Sequence, residues 1–241
     1  MENKTNITVD IGNTRIKSGL FEGENLVASH SWGSIEQLKE YLSTTKHDQV
    51  GIVSVGAKVD LIADELSSYE PAMISVHSKL PITLDYKTPE TLGIDRIVAL
   101  IGAAVDRQNQ NVLVIDLGSC ITYDLLDASN TYRGGVISPG LEMRMRGMAQ
   151  FTENLPDIRD HWLSHIPSGL GKSTKECLTA GTFQAIIHEL NGFIEGLRCE
   201  YADLAVILTG GNAPSFESNL KQPIFADLFL VLKGINRILN Q

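Results

Sequence analysis

An α/β chain that uses one strand-rich plan twice is what the sequence predicts, on three observations. Val9-Asp10-Ile11-Gly12-Asn13-Thr14 recurs as Ile115-Asp116-Leu117-Gly118-Ser119-Cys120, an offset of 106 residues. Each copy follows an apolar run and leads into another, so each reads as a hairpin with a glycine at its turn. After each hairpin the chain gives a third strand and then alternates helix with strand. A carboxylate and a glycine at a hairpin, built twice, suit a site that holds a metal-bound phosphate chain from both sides.

In order, Thr5 to Asp10 and Arg15 to Phe21 form the first hairpin around Gly12-Asn13, and Leu26 to Trp32 the third strand. Ser34 is placed to cap a helix to about Ser43, with Leu38 and Leu42 on one face. Gln49 to Val55 is an apolar strand, Lys58 to Ser68 a helix, and Met73 to Val76 and Ile82 to Tyr86 are extended, the latter closed by Pro89. From Gly93 to Arg107 the apolar spacing is helical. The polar run Gln108-Asn109-Gln110-Asn111 is the expected boundary between an N-terminal half, 1–110, and a C-terminal half, 111–241. Val112 to Asp116, Ile121 to Asp127 and Thr131 to Ser138 restart the three strands. Pro139 suits the first position of a helix to about Met148. Phe151 to Lys172 is irregular, Thr174 to Glu200 a long helix, Ala205 to Leu208 a strand ending in Thr209-Gly210-Gly211, and Leu228 to Leu239 an amphipathic helix. This is the organisation of a duplicated ribonuclease-H-like fold. Two such domains facing each other across a cleft would bring Asp10 and Asp116 to opposite sides of it, since ligands of open α/β sheets bind beyond strand ends.

Composition narrows the partners. The 241 residues carry a net charge of −9, which argues against nucleic acid or an anionic membrane surface. The N-terminus has no basic and apolar leader and no apolar run approaches ~20 residues, so a cytoplasmic protein without membrane partners is expected. Cys120, Cys177 and Cys199 are too few and too irregular for a disulfide framework or a zinc site.

The residues that carry chemistry cluster in a few segments. In the first hairpin Gly12 lets backbone N–H groups approach phosphate oxygens, Asn13 and Thr14 add donors, Lys17 supplies a point charge, and Asp10 can accept from a magnesium-bound water. In the second, Ser119 offers a hydroxyl, while Cys120, Thr122 and Asp124 share a strand face. Gly93-Ile94-Asp95-Arg96 opens a helix, where a carboxylate by itself commonly does no more than stabilise the helix dipole; it also sets a base beside an anion-binding fork, and phosphoryl transfer needs a group to orient the attacking hydroxyl and accept its proton. Gly134-Gly135-Val136-Ile137-Ser138-Pro139-Gly140 is equally a plain turn or a substrate-receiving helix start. Gly169-Leu170-Gly171-Lys172-Ser173-Thr174 is not a P-loop, because Ile166 stands where the motif needs glycine. His161 and His165 have the i, i+4 spacing of metal ligands, but no glutamate follows His161 and prolines interrupt the region.

Taken together, Asp10-Ile11-Gly12-Asn13-Thr14-Arg15-Ile16-Lys17, Gly93-Ile94-Asp95-Arg96, Asp116-Leu117-Gly118-Ser119, Gly134 to Gly140 and Thr209-Gly210-Gly211 resemble the type III pantothenate kinases of the actin, sugar-kinase and heat-shock-ATPase superfamily. The resemblance runs in order over nearly the whole chain. It implies an actin-like ATPase fold and transfer of the ATP γ-phosphate to the 4′-hydroxyl of pantothenate, the first step of coenzyme A synthesis. It assigns ATP binding to Asp10 through Lys17 and to Ser119, pantothenate binding to Tyr86, Gly93, Ile94, Asp95, Arg96 and Thr174, proton acceptance to Asp95, and a monovalent cation, K⁺ or NH₄⁺, to Asp116. It also implies Mg²⁺ with the ATP and a homodimer. The family's usual Asp-x-Gly-Thr-Ala is here Asp116-Leu117-Gly118-Ser119-Cys120, which keeps the hydroxyl and adds bulk. Three other readings stand beside it: a non-catalytic or regulatory relative, a kinase of another small hydroxylated metabolite, and a two-metal nuclease using Asp10, Asp116 and Asp124.

Overall fold

The computed structural model describes residues 4–12, 15–54, 59–159, 169–221 and 224–241. Among these, eleven strands and seven α-helices follow one another in chain order. The first hairpin is β1 (Thr5–Ile11) and β2 (Ile16–Glu22), antiparallel, with Asp10 opposite Lys17 and Ile11 opposite Ile16. Next come β3 (Asn25–Trp32), α1 (Ile35–Thr44), β4 (Gln49–Ser54), α2 (Val59–Glu65), β5 (Ala72–Met73), β6 (Thr83–Leu84) and α3 (Ile94–Val105). The expected cap holds, for Ser34 Oγ accepts from the Gln37 amide at 3.5 Å. The chain restarts with β7 (Val112–Leu117), β8 (Cys120–Leu126), β9 (Thr131–Pro139), α4 (Leu141–Gln150), α5 (Thr174–Glu200), β10 (Ala205–Thr209), α6 (Ala213–Glu217), β11 (Phe225–Ala226) and α7 (Leu230–Leu239). Two sheets result, one in the order β3-β2-β1-β4-β5 and the other β11-β10-β7-β8-β9-β6. In the first, β1 runs antiparallel to β2 and parallel to β4.

Pro139 departs from expectation. It closes β9 instead of opening a helix, and Gly140 is the residue that caps α4. The reason is local: the Pro139 carbonyl accepts from Arg144 Nε at 2.7 Å, and the Gly140 amide is taken by Ser119 O at 3.1 Å. The short α6 and β11 carry too few residues to show a period, and the sequence pattern gave neither.

By contacts the chain forms two compact units. The first comprises residues 1–112, 125–134 and 229–241, the second 113–124 and 135–228. In the first unit Ile7, Val9, Val50 and Ile52 of the sheet bury against Leu38 and Leu42 of α1. The amphipathic α7 lies against α3 at a close crossing. A Cβ at Gly102 would stand 1.9 Å from Leu230 O, and one at Gly234 would stand 1.9 Å from Val98 O. The two glycines thus let the helix backbones touch, which no larger residue permits. In the second unit Leu178, Phe183, Ile186, Leu190 and Ile194 bury one stripe of α5, with Phe183 stacked on Phe216 at 4.5 Å. No helix of the described residues is long and apolar enough to cross a membrane.

Candidate active site

The first hairpin closes through the Gly12 amide, which donates to Arg15 O at 3.1 Å. Its turn therefore covers Gly12 to Arg15, and Asn13 and Thr14 lie outside the described residues. Facing residues of an antiparallel pair present side chains on the same side of the sheet. Asp10 and Lys17 are such a pair, both half-buried, so a carboxylate and an ammonium flank one strand end. Ile11 is buried and Ile16 packs on the same core, both paired within the sheet, while Arg15 is exposed.

The second hairpin is tighter. Gly118 N donates to Cys120 O at 3.1 Å, so Gly118 and Ser119 alone connect β7 to β8. Ser119 is exposed at the tip, Asp116 and Cys120 are half-buried, and Asp124 is only 1% exposed. Gly210 presses on this strand end. It adopts a φ of +90°, and a Cβ there would sit 2.3 Å from Asp116 Oδ1 and 2.6 Å from Leu117 N, so glycine is required by conformation and by space. The Asn212 amide fastens the same turn to Leu117 O at 3.0 Å. Gly140 closes on the hairpin from elsewhere, with a would-be Cβ 2.4 Å from both Gly118 O and Ser119 O. Three glycine segments singled out in the sequence thus meet around Asp116 and Ser119.

Asp95 occupies the first turn of α3, where a carboxylate complements the helix N-terminus. Its Oδ1 accepts from the Arg96 amide at 2.9 Å, and Gly93 is close enough that a Cβ would be 2.6 Å from that oxygen. The Arg96 guanidinium donates to the buried Tyr132 hydroxyl at 3.0 Å, and Tyr86 packs on the Tyr132 ring at 5.7 Å. Tyr86 and Arg96 are therefore brought together through Tyr132, a residue that the sequence pattern did not single out, and Asp95 adjoins Arg96 on the same helix start. The signal for Tyr132 was an aromatic in the strand just before Gly134-Gly135. Ile94 is buried beneath this helix start.

Thr174 is exposed at the first turn of α5. Ser173 caps that helix by accepting from Glu176 N at 3.3 Å, and Glu176 accepts in return from Lys172 N at 2.6 Å. The hydroxyl that a P-loop would aim at a metal is thus spent on a helix cap. His161 and His165 lie outside the described residues. Among the described residues no three His, Cys, Asp or Glu side chains gather to hold a metal. A magnesium ion that arrives on phosphates needs only one or two carboxylates and keeps its waters, and the Asp10 strand end fits that demand.

The sequence profile of the type III pantothenate kinases matches residues 6–196. A type III pantothenate kinase of Cytophaga hutchinsonii is 40% identical over 98% of this chain and 98% of its own. One of Bacteroides fragilis is 40% identical over 98% and 97%. Among solved structures, a ROK family glucokinase from Streptomyces griseus in complex with glucose and AMPPNP superposes with a TM-score of 0.54 over 98% of both chains at 14% identity, which shows a shared fold. The two mixed sheets, the order of the motifs and these relatives together establish a duplicated ribonuclease-H-like architecture, and the chain belongs to the type III pantothenate kinase family.

Proposed function

We propose that Asp95 orients the 4′-hydroxyl of pantothenate and accepts its proton while this chain transfers the γ-phosphoryl group of ATP to it, the first step of coenzyme A synthesis. The observation that carries the reading is the seating of Asp95. Its Oδ1 accepts from the Arg96 amide in space that the bare Gly93 leaves open, beside an arginine whose guanidinium donates to Tyr132. A carboxylate so fixed loses little orientation on binding substrate, and phosphoryl transfer rests mostly on positioning and charge. Arg96 and Tyr86 would hold the acid end and the body of pantothenate, with Gly93, Ile94 and Thr174 as further contacts.

Lys17 and the amides of the Asp10-to-Lys17 hairpin take the ATP phosphates, and Ser119 adds a hydroxyl. Mg²⁺ carried with those phosphates neutralises charge there, and Asp10 is the residue to bond its waters. Asp116, crowded by the backbone of Gly118 and Gly210, has the oxygen-donor chemistry for K⁺ or NH₄⁺. The sequence halves 1–110 and 111–241 would be the two repeats. A homodimer is supported by exposed Val136, Ile137, Met143, Phe151 and Leu170 in the second unit, and the substrates point to the cytoplasm.

An ADP-release assay with pantothenate, with and without K⁺, tests the reading. Turnover should need pantothenate and rise with K⁺ or NH₄⁺. Asp95→Asn should leave the fold intact and cut kcat by ~10²–10⁴, typical of losing a general base. Near-normal turnover in that variant would remove Asp95 from the role.

A further inference from the structure

Glu189 breaks the pattern of its helix. It lies mid-way along α5 among buried Ile186, Ile187 and Leu190, and its side chain is only 20% exposed. A carboxylate drawn out of water this far costs free energy unless it is paired and hydrogen-bonded. Here it accepts from three donors: Tyr123 OH at 2.8 Å, Ser138 Oγ at 2.5 Å and the Arg144 guanidinium. Burial pushes its pKa up, but the bonds from Arg144, Ser138 and Tyr123 outweigh that and hold it low, so the pair is charged at neutral pH.

Arg144 does more than neutralise Glu189. Its Nε donates to Pro139 O at 2.7 Å, and Nη2 also reaches Ser138 Oγ at 3.3 Å. Both members of the pair therefore grip Ser138-Pro139. The next residue, Gly140, donates to Ser119 O and leaves no room for a Cβ against Gly118 and Ser119. An unbroken line of contacts runs from the Glu189 carboxylate through the β9–α4 turn to the tip of the second hairpin.

We infer that Glu189 and Arg144 are positioning residues for nucleotide binding. They clamp the Ser138-Pro139-Gly140 turn, and the turn sets the height of Ser119 toward the ATP phosphates. The inference rests on the ATP contact proposed above for Ser119. An ion pair that only ties α4 to α5 would affect stability and nothing else. A clamp acts on one substrate, and it depends on the fork of the guanidinium as well as on its charge.

The test measures kcat, the two KM values and the melting temperature for Ser119→Ala, Glu189→Gln, Arg144→Lys and the double variant Ser119→Ala/Glu189→Gln. Ser119→Ala should raise the KM for ATP roughly tenfold, as loss of a hydrogen bond to a charged group does. Glu189→Gln and Arg144→Lys should each raise it about five- to tenfold, with the KM for pantothenate within about twofold of the parent. The double variant should be no worse than the worse single one, because both act through one hydroxyl. If Glu189→Gln does not fold, Arg144→Lys carries the test, since it keeps the charge and loses only the fork. If Ser119→Ala raises the KM for ATP while Arg144→Lys and Glu189→Gln leave it unchanged or lower only the melting temperature, the clamp is overturned. If Ser119→Ala itself leaves ATP use unchanged, the reading of Ser119 fails, and the inference with it.

Discussion

Replacing Gly234 by alanine puts one methyl group into the crossing of α3 and α7. The new Cβ would start 1.9 Å from Val98 O and 2.8 Å from Val98 Cγ1. Carbon and oxygen rest at ~3.3 Å in close helix contacts, so the axes must part by about 1.4 Å. The obstacle is a helix carbonyl that cannot rotate away, which places the cost at the upper part of the ~1–3 kcal/mol typical of overpacking. Alanine regains about 0.5–1 kcal/mol over glycine as a helix former. The net is about 2 kcal/mol of destabilisation, or a fall of ~4–8 °C in Tm for a chain of this size. Gly196→Ala is the control. It lies inside α5 with nothing within 4 Å of its would-be Cβ, so the same substitution there should stabilise by about 0.5–1 kcal/mol. Thermal melts and urea titrations of both variants decide the matter. If Gly234→Ala melts at or above the parent, as Gly196→Ala should, the backbone contact between α3 and α7 is not what holds them.

Other outcomes follow from the same structure. Tyr132→Phe removes one hydrogen-bond acceptor from the Arg96 guanidinium, and steady-state kinetics should show a KM for pantothenate about 5–10-fold higher with kcat nearly kept, the effect of one hydrogen bond. Lys17→Met should raise the KM for ATP and lower kcat together, since the ammonium meets the phosphates in the ground state and binds them more strongly as charge shifts in the transition state. Asp127 accepts from Ser129 N, Ser129 Oγ, Thr131 N and Arg133 Nε; burial raises its pKa, but these bonds prevail and hold it at about 2. Because the folded value lies below the unfolded one, its stabilisation is present above pH ~4 and is lost as pH falls toward 2; urea titrations should show Asp127→Asn about 1 kcal/mol less stable at pH 7, the gap closing with acid.

Much of this was legible in the sequence where local chemistry decides structure. Both hairpins, the Ser34 cap and the full span of α5 follow from turn residues, alternation and a 3.6-residue period. The helix start at Asp95 was legible for the same reason. Tyr132 and Glu189 were not, because their meaning lies in partners 36 and 45 to 66 residues away. An amphipathic pattern said that α7 buries one face but could not say against which element. The two Asp-x-Gly copies looked alike in sequence, yet the turns differ: Gly12 to Arg15 in one and Gly118-Ser119 in the other. That difference comes from hydrogen-bond register, which a six-residue match does not encode.

The crossing of α3 and α7 also orders events during synthesis. Residues 229–241 leave the ribosome after every residue of the second unit, yet they complete the first. Until then Val98 and Gly102 of α3 await their cover, and the strand face around Gly51, where Ile235 and Leu239 will sit, is bare. The unit that begins first therefore finishes last. A nascent chain halted at residue 228 would hold a closed second unit and an open, sticky first one, the state a chaperone would meet.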